Sequence, residues 1–251
     1  MKKIILLYLV LVLFSKCNAI SFNGKTPQPS HGIWNALLKK FVTDDGHVNY
    51  KGFIKDSLEL NKYLKILTDN PPNEKEWTSN QQKAYWINAY NAFTVKLIVK
   101  YYPVKSIKDI GSTIQIPFIN TPWDIKFISI GDKILNLNNI EHSILRKKFK
   151  DPRLHFALVC AARSCPKLRN EAYTALKLED QLTDQAKDFL ADKSKNIIAA
   201  DEVKISKIFS WYSMDFPKEE NFIAFLNQYI PSKIKESAKI TYMDYLWNLN
   251  E

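Results

Sequence analysis

The chain has 251 residues, of which 46% are hydrophobic, 13% aromatic and 25% charged, and its formal net charge is +10. This composition can build a large hydrophobic core and argues against a disordered chain. The lysines are scattered and form no basic stripe interleaved with aromatic residues, so we expect no sequence-specific nucleic-acid binding. A weak attraction to anionic surfaces is the most that the charge predicts.

The first 19 residues have the pattern of a secretory signal peptide. Two lysines precede the apolar run 4–14, and Ala19 ends the segment with a small residue suited to cleavage. The run is too short to span a bilayer, so no transmembrane segment is expected in the mature chain. Cleavage after Ala19 would export the protein to the periplasm or the cell exterior. Lipid attachment at Cys17 is less favoured, because Lys16 stands where lipoprotein signals carry a small residue.

The next part of the chain is predicted to be mainly helical. Residues 20–30 have the composition of a loose polar leader, and residues 31–251 are expected to form a single domain. Helical spacing of apolar residues covers 33–42, 58–67 and 79–99, with a short extended segment at 47–53. The third of these helices is apolar on every side, so it is predicted to be central and buried on every side.

Two asparagines, Asn88 and Asn91, lie three residues apart on this central helix and share one face. A buried amide without a hydrogen-bond partner costs roughly 1–3 kcal/mol, so both side chains need partners. Either they hold a neighbouring backbone segment in place, or one of them points into a pocket and orients a catalytic group or a substrate.

The second half of the chain mixes short strands and helices without a regular strand–helix rhythm. Hairpins are predicted over 123–135 and 196–205, a buried strand over 154–159 and a final strand over 240–246. Helices are predicted over 139–149, 171–190 and 218–229. The pattern predicts an α+β fold, in which the long buried central helix and further helices pack on a small, mainly antiparallel sheet.

Residues 151–166, DPRLHFALVCAARSCP, bring a histidine and two cysteines closer together than any other stretch. His155 is predicted to lie in the buried strand and Cys160 to end it. Cys165 is predicted to lie just before a helix, whose N-terminus would lower the pKa of its thiol. The stretch is therefore the first candidate for a functional site.

A thiol enzyme is one interpretation of these residues. Cys165 would be the nucleophile and His155 or His142 its base, with Asn88 or Glu141 orienting the base. A pairing of Glu141 with His155 is favoured over a joint action of Glu141 and His142, because adjacent residues of a helix point about 100° apart.

Two other interpretations stay open. Two nearby cysteines in an exported protein are expected to form a disulfide, here between Cys160 and Cys165, and His155 would then be a hydrogen-bonded core histidine. Alternatively, the cleft binds a small-molecule or peptide ligand through Arg146 and Arg153 without chemistry. No metal site or cofactor is expected, because neither an H-E-x-x-H nor a C-x-x-C spacing nor a Gly-rich phosphate loop is present.

Several segments between about Asp45 and Glu251 form an ordered series of motifs. They are AYWINAYNAFTVKLI, YYPVKSIKDI, PWD, IEHSILR, DPRLHFALVCAARSCPKLRNEAY, KIFSWYSMDF and YMDYLWNLNE. Together they resemble the domain-of-unknown-function 547 family, which is mostly unassigned in function and includes exported bacterial proteins. The resemblance implies the stand-alone exported form and a shared set of polar positions. These positions are Asn88, Asn91, Glu141, His142, Arg146, Asp151, Arg153, His155, Cys160, Ser164 and Cys165.

The sequence thus predicts an exported protein with a polar site. Its favoured function is a thiol-dependent hydrolase or acyl-transferase acting on peptide or amide bonds, and the alternative is a non-catalytic ligand-binding or envelope-associated module. The predicted catalytic residues are Cys165, His155, His142, Glu141 and Asn88. The predicted binding residues are Asn91, Arg146, Arg153 and Ser164.

Overall fold

The structure is a computed structural model and describes residues 20–251. The predicted signal peptide and the alternative lipid site at Cys17 lie outside the described residues. The described residues have an α+β fold, as predicted. None of their helices combines the length and the apolar character needed to cross a membrane.

Helices and short strands follow one another along the chain without a regular alternation. The helices are α1 Gly32–Phe41, α2 Tyr50–Lys55, α3 Ser57–Asp69, α4 Ser79–Tyr101, α5 Lys147–Phe149, α6 Leu154–Ala157, α7 Leu178–Ala191, α8 Ile208–Trp211 and α9 Glu219–Leu226. A π-helix, Asn139–Arg146, runs directly into α5, and 3-10 turns occupy Ile107–Asp109 and Pro122–Asp124. The strands are β1 Ile128–Ile130, β2 Lys133–Leu135, β3 Ile197–Ile198, β4 Glu202–Ile205 and β5 Lys239–Tyr242.

The strands form two small sheets instead of the one predicted. Both predicted hairpins are present, since β1 pairs antiparallel with β2 and β3 pairs antiparallel with β4. The last strand, β5, pairs with β4 in parallel, with Val203 opposite Ile240. The pairing is therefore mainly antiparallel, and the C-terminal strand β5 forms one edge of the second sheet.

The helix α4 is the central helix that its apolar pattern predicted. Thr78 caps its N-terminus through a reciprocal pair of hydrogen bonds with Gln81, which satisfies two backbone N–H groups at that end. Every residue from Gln82 to Val95 is buried. The helix thus carries apolar neighbours on all sides, and its polar side chains must find partners inside the protein.

Asn88 and Asn91 find these partners in backbone groups of a facing segment. The Asn88 amide donates to the Tyr173 carbonyl at 2.8 Å and accepts from the Tyr173 N–H at 3.0 Å. The Asn91 amide donates to the Ala157 carbonyl at 2.9 Å and accepts from the Val159 N–H at 3.0 Å. Both amides thus hold a neighbouring backbone segment in place, the first of the two alternatives considered from the sequence, and the roles of Asn88 in catalysis and of Asn91 in binding stay predictions.

The predicted strand 154–159 is also wrong in its first half. Leu154–Ala157 is the short helix α6, and the chain becomes extended only at Leu158. A short apolar run fits a buried strand and a buried helical turn equally well, so periodicity could not separate the two. The predicted helix 171–190 begins only at Leu178, which removes the helix N-terminus expected beside Cys165. Likewise, the segment predicted to be extended at 47–53 contains the start of α2.

The predicted loose leader is packed against the rest of the fold. The Phe22 ring is buried and lies 5.2 Å from the Trp86 ring of α4, measured between centroids. The Gly24 N–H donates to the Pro72 carbonyl, and a Cβ at this glycine would lie 1.9 Å from the Pro71 carbonyl oxygen. Only glycine allows this close approach, so the segment has a fixed position.

The buried apolar residues form two clusters that meet beside α6. The first surrounds α4 and includes α1, α3 and the β1–β2 hairpin, and it reaches Leu158 and Cys165. The second contains Phe156 of α6 with residues from α7, α8 and α9. Neighbouring residues of one short segment thus belong to different clusters, and His155 lies at this boundary.

We expect Asn88→Ala to lower the free energy of unfolding by about 2–4 kcal/mol, because it leaves the buried N–H and C=O of Tyr173 without partners at about 1–3 kcal/mol each. Urea denaturation measures this loss. Asn61→Ala on the exposed face of α3 is the matched control and should change stability by less than about 0.5 kcal/mol. Equal effects of the two substitutions would contradict the assignment.

Candidate functional site

A cavity of about 190 Å³ lies where the two apolar clusters meet. Its carboxylate, imidazole and thiol groups come from Glu141, His142, His155, Cys160 and Cys165. Aromatic rings from Tyr90, Trp123, Tyr212, Tyr245 and Trp247 form most of the remaining wall. The structure thus brings all of the predicted catalytic residues except Asn88 to one cavity. A small concave site with a few convergent polar groups is the usual form of an active or binding site.

The imidazole of His155 is oriented by a carboxylate that the sequence analysis did not identify. Its Nε2 lies 2.7 Å from the Asp215 Oδ2, and its ring stacks on Tyr212 with centroids 4.0 Å apart. Because a carboxylate accepts, Nε2 carries the proton and Nδ1 of neutral His155 keeps a free lone pair. Nδ1 has no hydrogen-bond partner among residues 20–251, so it is the nitrogen available to take a proton.

Asp215 also accepts a hydrogen bond from the Arg146 Nε at 2.5 Å. Burial raises the pKa of Asp215, but the hydrogen bonds from His155 and Arg146 outweigh it and hold the pKa well below its ordinary range. The carboxylate is therefore ionised at neutral pH and fixes the tautomer of His155. Its sequence signal was weak, since it is the one acidic residue in the aromatic segment KIFSWYSMDF.

The π-helix carries the second histidine of the cavity. Arg146 Nη1 lies 2.5 Å from the Nδ1 of His142. A guanidinium can only donate, so His142 accepts at Nδ1 and carries its proton on Nε2. Burial lowers the pKa of His142, and the Arg146 charge lowers it further against the opposing effect of Glu141. His142 is therefore a neutral hydrogen-bond donor to the cavity at neutral pH.

Glu141 is not the partner of His155, and that prediction is wrong. Its carboxylate is buried, and its Oε2 accepts from the Tyr90 hydroxyl at 3.0 Å. Burial raises the pKa of Tyr212, and the nearby Glu141 carboxylate raises it further. Tyrosine hydroxyls, and not a histidine, thus solvate Glu141. Asp215 is distant from His155 in sequence but takes the orienting role, because the segment that follows α8 packs against α6.

Cys160 and Cys165 are free thiols in the structure, and not the disulfide considered from the sequence. The backbone N–H of Cys160 donates to the Cys165 Sγ at 2.8 Å, and the Cys160 Sγ lies 3.2 Å from the Tyr245 hydroxyl. The turn between the cysteines holds Ala161 at φ +60°, a left-handed conformation that costs a residue with a Cβ about 1–2 kcal/mol. This strained turn points the Cys160 N–H at the second sulfur.

The two thiols differ in acidity. Burial raises the pKa of the Cys165 thiol, but hydrogen bonds from Cys160 and Tyr245 outweigh it, and the net shift is downward. Burial and the neighbouring Cys165 raise the pKa of Cys160 well above its ordinary value. The pair therefore loses its first proton from Cys165. The predicted activation by a helix N-terminus is replaced by this set of local hydrogen bonds.

Arg153 and Ser164 do not line the cavity, and their binding roles stay predictions. The Arg153 guanidinium pairs with Asp151 at 2.8 Å and with Glu179 at 2.6 Å, and Lys83 lies 3.4 Å from the same two carboxylates. The Ser164 hydroxyl accepts from the Leu246 N–H and so holds the C-terminal segment in place. Among the described residues no group of histidine, cysteine and acidic side chains is arranged to hold a metal ion.

The comparisons with known proteins agree with the motif series. Residues 74–190 match the family model described as "Protein of unknown function, DUF547". The chain resembles the DUF547 family. Neither the curated proteins nor the solved structures give a match. The DUF547 match contains Glu141, His142, His155 and both cavity cysteines, whereas Asp215 lies beyond it.

We expect Asp215→Asn to lower the free energy of unfolding by about 1–3 kcal/mol at pH 7, because Arg146 and His155 lose their shared acceptor. The folded-state pKa of Asp215 is lowered, so its contribution is complete above the ordinary aspartate pKa near 4 and is lost as the pH falls through the folded value. Urea unfolding at pH 7 and in steps below pH 4 measures this.

The exposed Asp184, which lies 3.7 Å from Arg169, gives the control substitution Asp184→Asn. It should change stability by less than about 0.5 kcal/mol. An Asp215→Asn difference that grows as the pH falls would contradict the assignment.

Proposed function

We propose that the cavity is the active site of a thiol-dependent hydrolase or acyl-transferase acting on peptide or amide bonds. The observation that supports it best is the shared lining of one cavity by Cys165, with a lowered thiol pKa, and His155, oriented by Asp215. A nucleophile with depressed pKa and a base held by a third group are the elements of covalent acyl transfer.

The proposed reaction begins with the Cys165 sulfur and the carbonyl carbon of an amide. His155 accepts the thiol proton at Nδ1, through the bound substrate or a water, because no hydrogen bond joins either thiol to a histidine in residues 20–251. The C–S bond forms and the carbonyl electrons move to oxygen, where the Nε2–H of His142 is a candidate donor. Asp215 stabilises the imidazolium that results.

The intermediate then collapses with cleavage of the C–N bond. The leaving amine takes the proton from His155, and an acyl thioester remains on Cys165. In hydrolysis, water attacks the thioester with His155 again as base, which releases the acid and regenerates the thiol. In acyl transfer, an amine takes the place of the water.

A second candidate is a hydrolase in which His155 activates water directly and the cysteines are structural. It is favoured by the burial of Cys165 and by the absence of a thiol–histidine hydrogen bond among the described residues. A third, the non-catalytic module, binds its ligand in the same cavity without chemistry. We further propose, from residues 1–19, that the protein works after export.

The test uses p-nitrophenyl acetate as the acyl donor. We expect a burst of nitrophenolate and a protein mass increased by one acetyl group on Cys165, both abolished in Cys165→Ala. His155→Gln should slow the acylation by about 10²–10⁴-fold. His47→Gln, at an exposed histidine that does not line the cavity, is the matched control and should leave the rate unchanged.

The outcomes separate the three candidates. Loss of turnover in His155→Gln with full turnover in Cys165→Ala would exclude the thiol mechanism in favour of water activation. Unchanged behaviour in both variants, which must first be shown to be folded by thermal unfolding, would contradict an active site in this cavity and leave the binding module.

A further inference from the structure

An uncharged loop beside the cavity exposes an unusual number of apolar side chains. Residues 110–123, IGSTIQIPFINTPW, contain no charged residue. Ile114, Ile116, Phe118 and Ile119 are each between 49% and 74% exposed. Apolar side chains grouped in this way on a protein surface mark a site of interaction, whereas single exposed ones need no explanation.

The loop is braced by its own polar groups in the conformation that exposes these side chains. The Asn120 side chain accepts from the Ile116 N–H at 2.5 Å and donates to the Ile114 carbonyl at 2.7 Å. Gln115 donates to the Lys108 carbonyl at 2.6 Å and ties the loop to the preceding 3-10 turn. Phe118 has φ +61°, a left-handed conformation disfavoured for an aromatic residue. The outward apolar surface is therefore a built feature of the loop.

The exposed surface continues around the mouth of the cavity. The Phe118 ring lies 5.1 Å from the ring of His142, which lines the cavity. Trp211 also lines the cavity and is half exposed, and Met214, three residues further along the chain, is 92% exposed. Trp247 connects the two sides, since its ring lies 5.8 Å from Trp211 and 5.9 Å from Trp123 at the end of the loop. We call this surface the apolar rim; it consists of Ile114, Ile116, Phe118, Ile119, Trp211 and Met214.

Positive charge flanks the apolar rim. Lys108 and Lys126 are exposed on either side of the loop, and neither forms an ion pair within residues 20–251. The Lys108 ammonium lies 4.9 Å above the Trp247 ring. The two acids next to the loop, Asp109 and Asp124, both accept backbone N–H hydrogen bonds at 3.0 Å in capping turns. Both carboxylates keep their charge but are tied to backbone N–H groups, whereas Lys108 and Lys126 have no ion-pair partner among the described residues.

We propose that the apolar rim docks on the surface of a bilayer that contains anionic lipids. Aliphatic side chains that enter the acyl boundary, tryptophans at the interface and unpaired lysines facing the headgroups are the three features that such binding requires. A symmetric dimer through the same face would bring Lys108 and Lys126 of both copies together, while the nearby Asp109 and Asp124 are already held in capping turns. The bilayer therefore fits the charge of the surface better than a second copy does.

Docking in this way brings the cavity close to the lipid, because Phe118 packs against the lining residue His142 and Trp211 itself lines the cavity. Ligands would then reach the cavity from the membrane surface. The inference rests on the exposed side chains alone and holds whether or not Cys165 is a nucleophile.

The test is co-sedimentation with vesicles, using the protein in the form that accumulates in the cell, with its N-terminus established by intact mass. We expect binding to mixed phosphatidylcholine and phosphatidylglycerol vesicles, with a blue shift of tryptophan emission. Phe118→Ser combined with Ile119→Ser should lower the partition coefficient by about tenfold or more. Met214→Ser tests the part of the rim that follows Trp211 independently and should also lower the partition coefficient.

Two further variants complete the design. Lys108→Gln should weaken binding to the anionic vesicles by roughly fivefold and leave binding to pure phosphatidylcholine unchanged. Leu176→Ser, at a leucine that is 99% exposed but outside the rim, is the matched control and should bind as the wild type does. Absence of vesicle binding, or equal binding by the rim variants and the control, would overturn the proposal. So would a concentration-dependent dimer in ultracentrifugation that the rim substitutions abolish, because it would identify a second copy as the occupant.

Discussion

The pair of hydrogen bonds between the Asn91 side chain and the backbone of Ala157 and Val159 fixes the segment on which the site depends. A helix buried on all sides presents its polar side chains only to other protein groups, and an amide can match a backbone C=O and N–H at once. His155 lies two residues before this anchor and Cys160 one residue after it. The Asn91 side chain thus supplies the backbone hydrogen bonds that a neighbouring strand would supply to this segment in a sheet.

The second ordering element is a chain of hydrogen bonds that sets where protons lie. Arg146 donates to Asp215 and to His142, and Asp215 accepts from His155. Because the guanidinium keeps its proton, each histidine is left with a defined tautomer: His155 with a free Nδ1, His142 with a proton on Nε2. One arginine and one carboxylate therefore give the two imidazoles of the same cavity opposite roles, acceptor and donor.

Elements whose conformation follows from a local sequence pattern were predictable. The central helix follows from apolar residues on every side, and both hairpins follow from alternation and turn residues. The helix after Cys165 is present but begins at Leu178 and not at Glu171. The predicted strand around His155 was wrong because a short apolar run does not define its own conformation. Its conformation is imposed by Asn91 and by packing against two clusters, which are tertiary contacts.

The sequence predicted which residues gather at the candidate site but not which of them pair with one another. Glu141, His142, His155 and both cysteines do line one cavity, but Asp215 is separated from His155 by 60 residues and no spacing rule connects them. Asn88 was assigned to the site because the sequence indicated which face of the central helix it occupies. The sequence did not indicate its partner, the Tyr173 backbone. Sequence patterns identify residues that need a partner more readily than they identify the partner.

The proposed thiol mechanism depends most directly on the acidity of Cys165. The decisive measurement is the rate of iodoacetamide alkylation of each cysteine as a function of pH, followed by peptide mass mapping without reductant. The proposed mechanism predicts that Cys165 reacts before Cys160 and that its rate reaches half of its maximum at a lower pH than the value found for a cysteine in an unstructured peptide measured in parallel. Earlier reaction of Cys160, a midpoint of Cys165 above that value, or labelling of both cysteines only after reduction would contradict it.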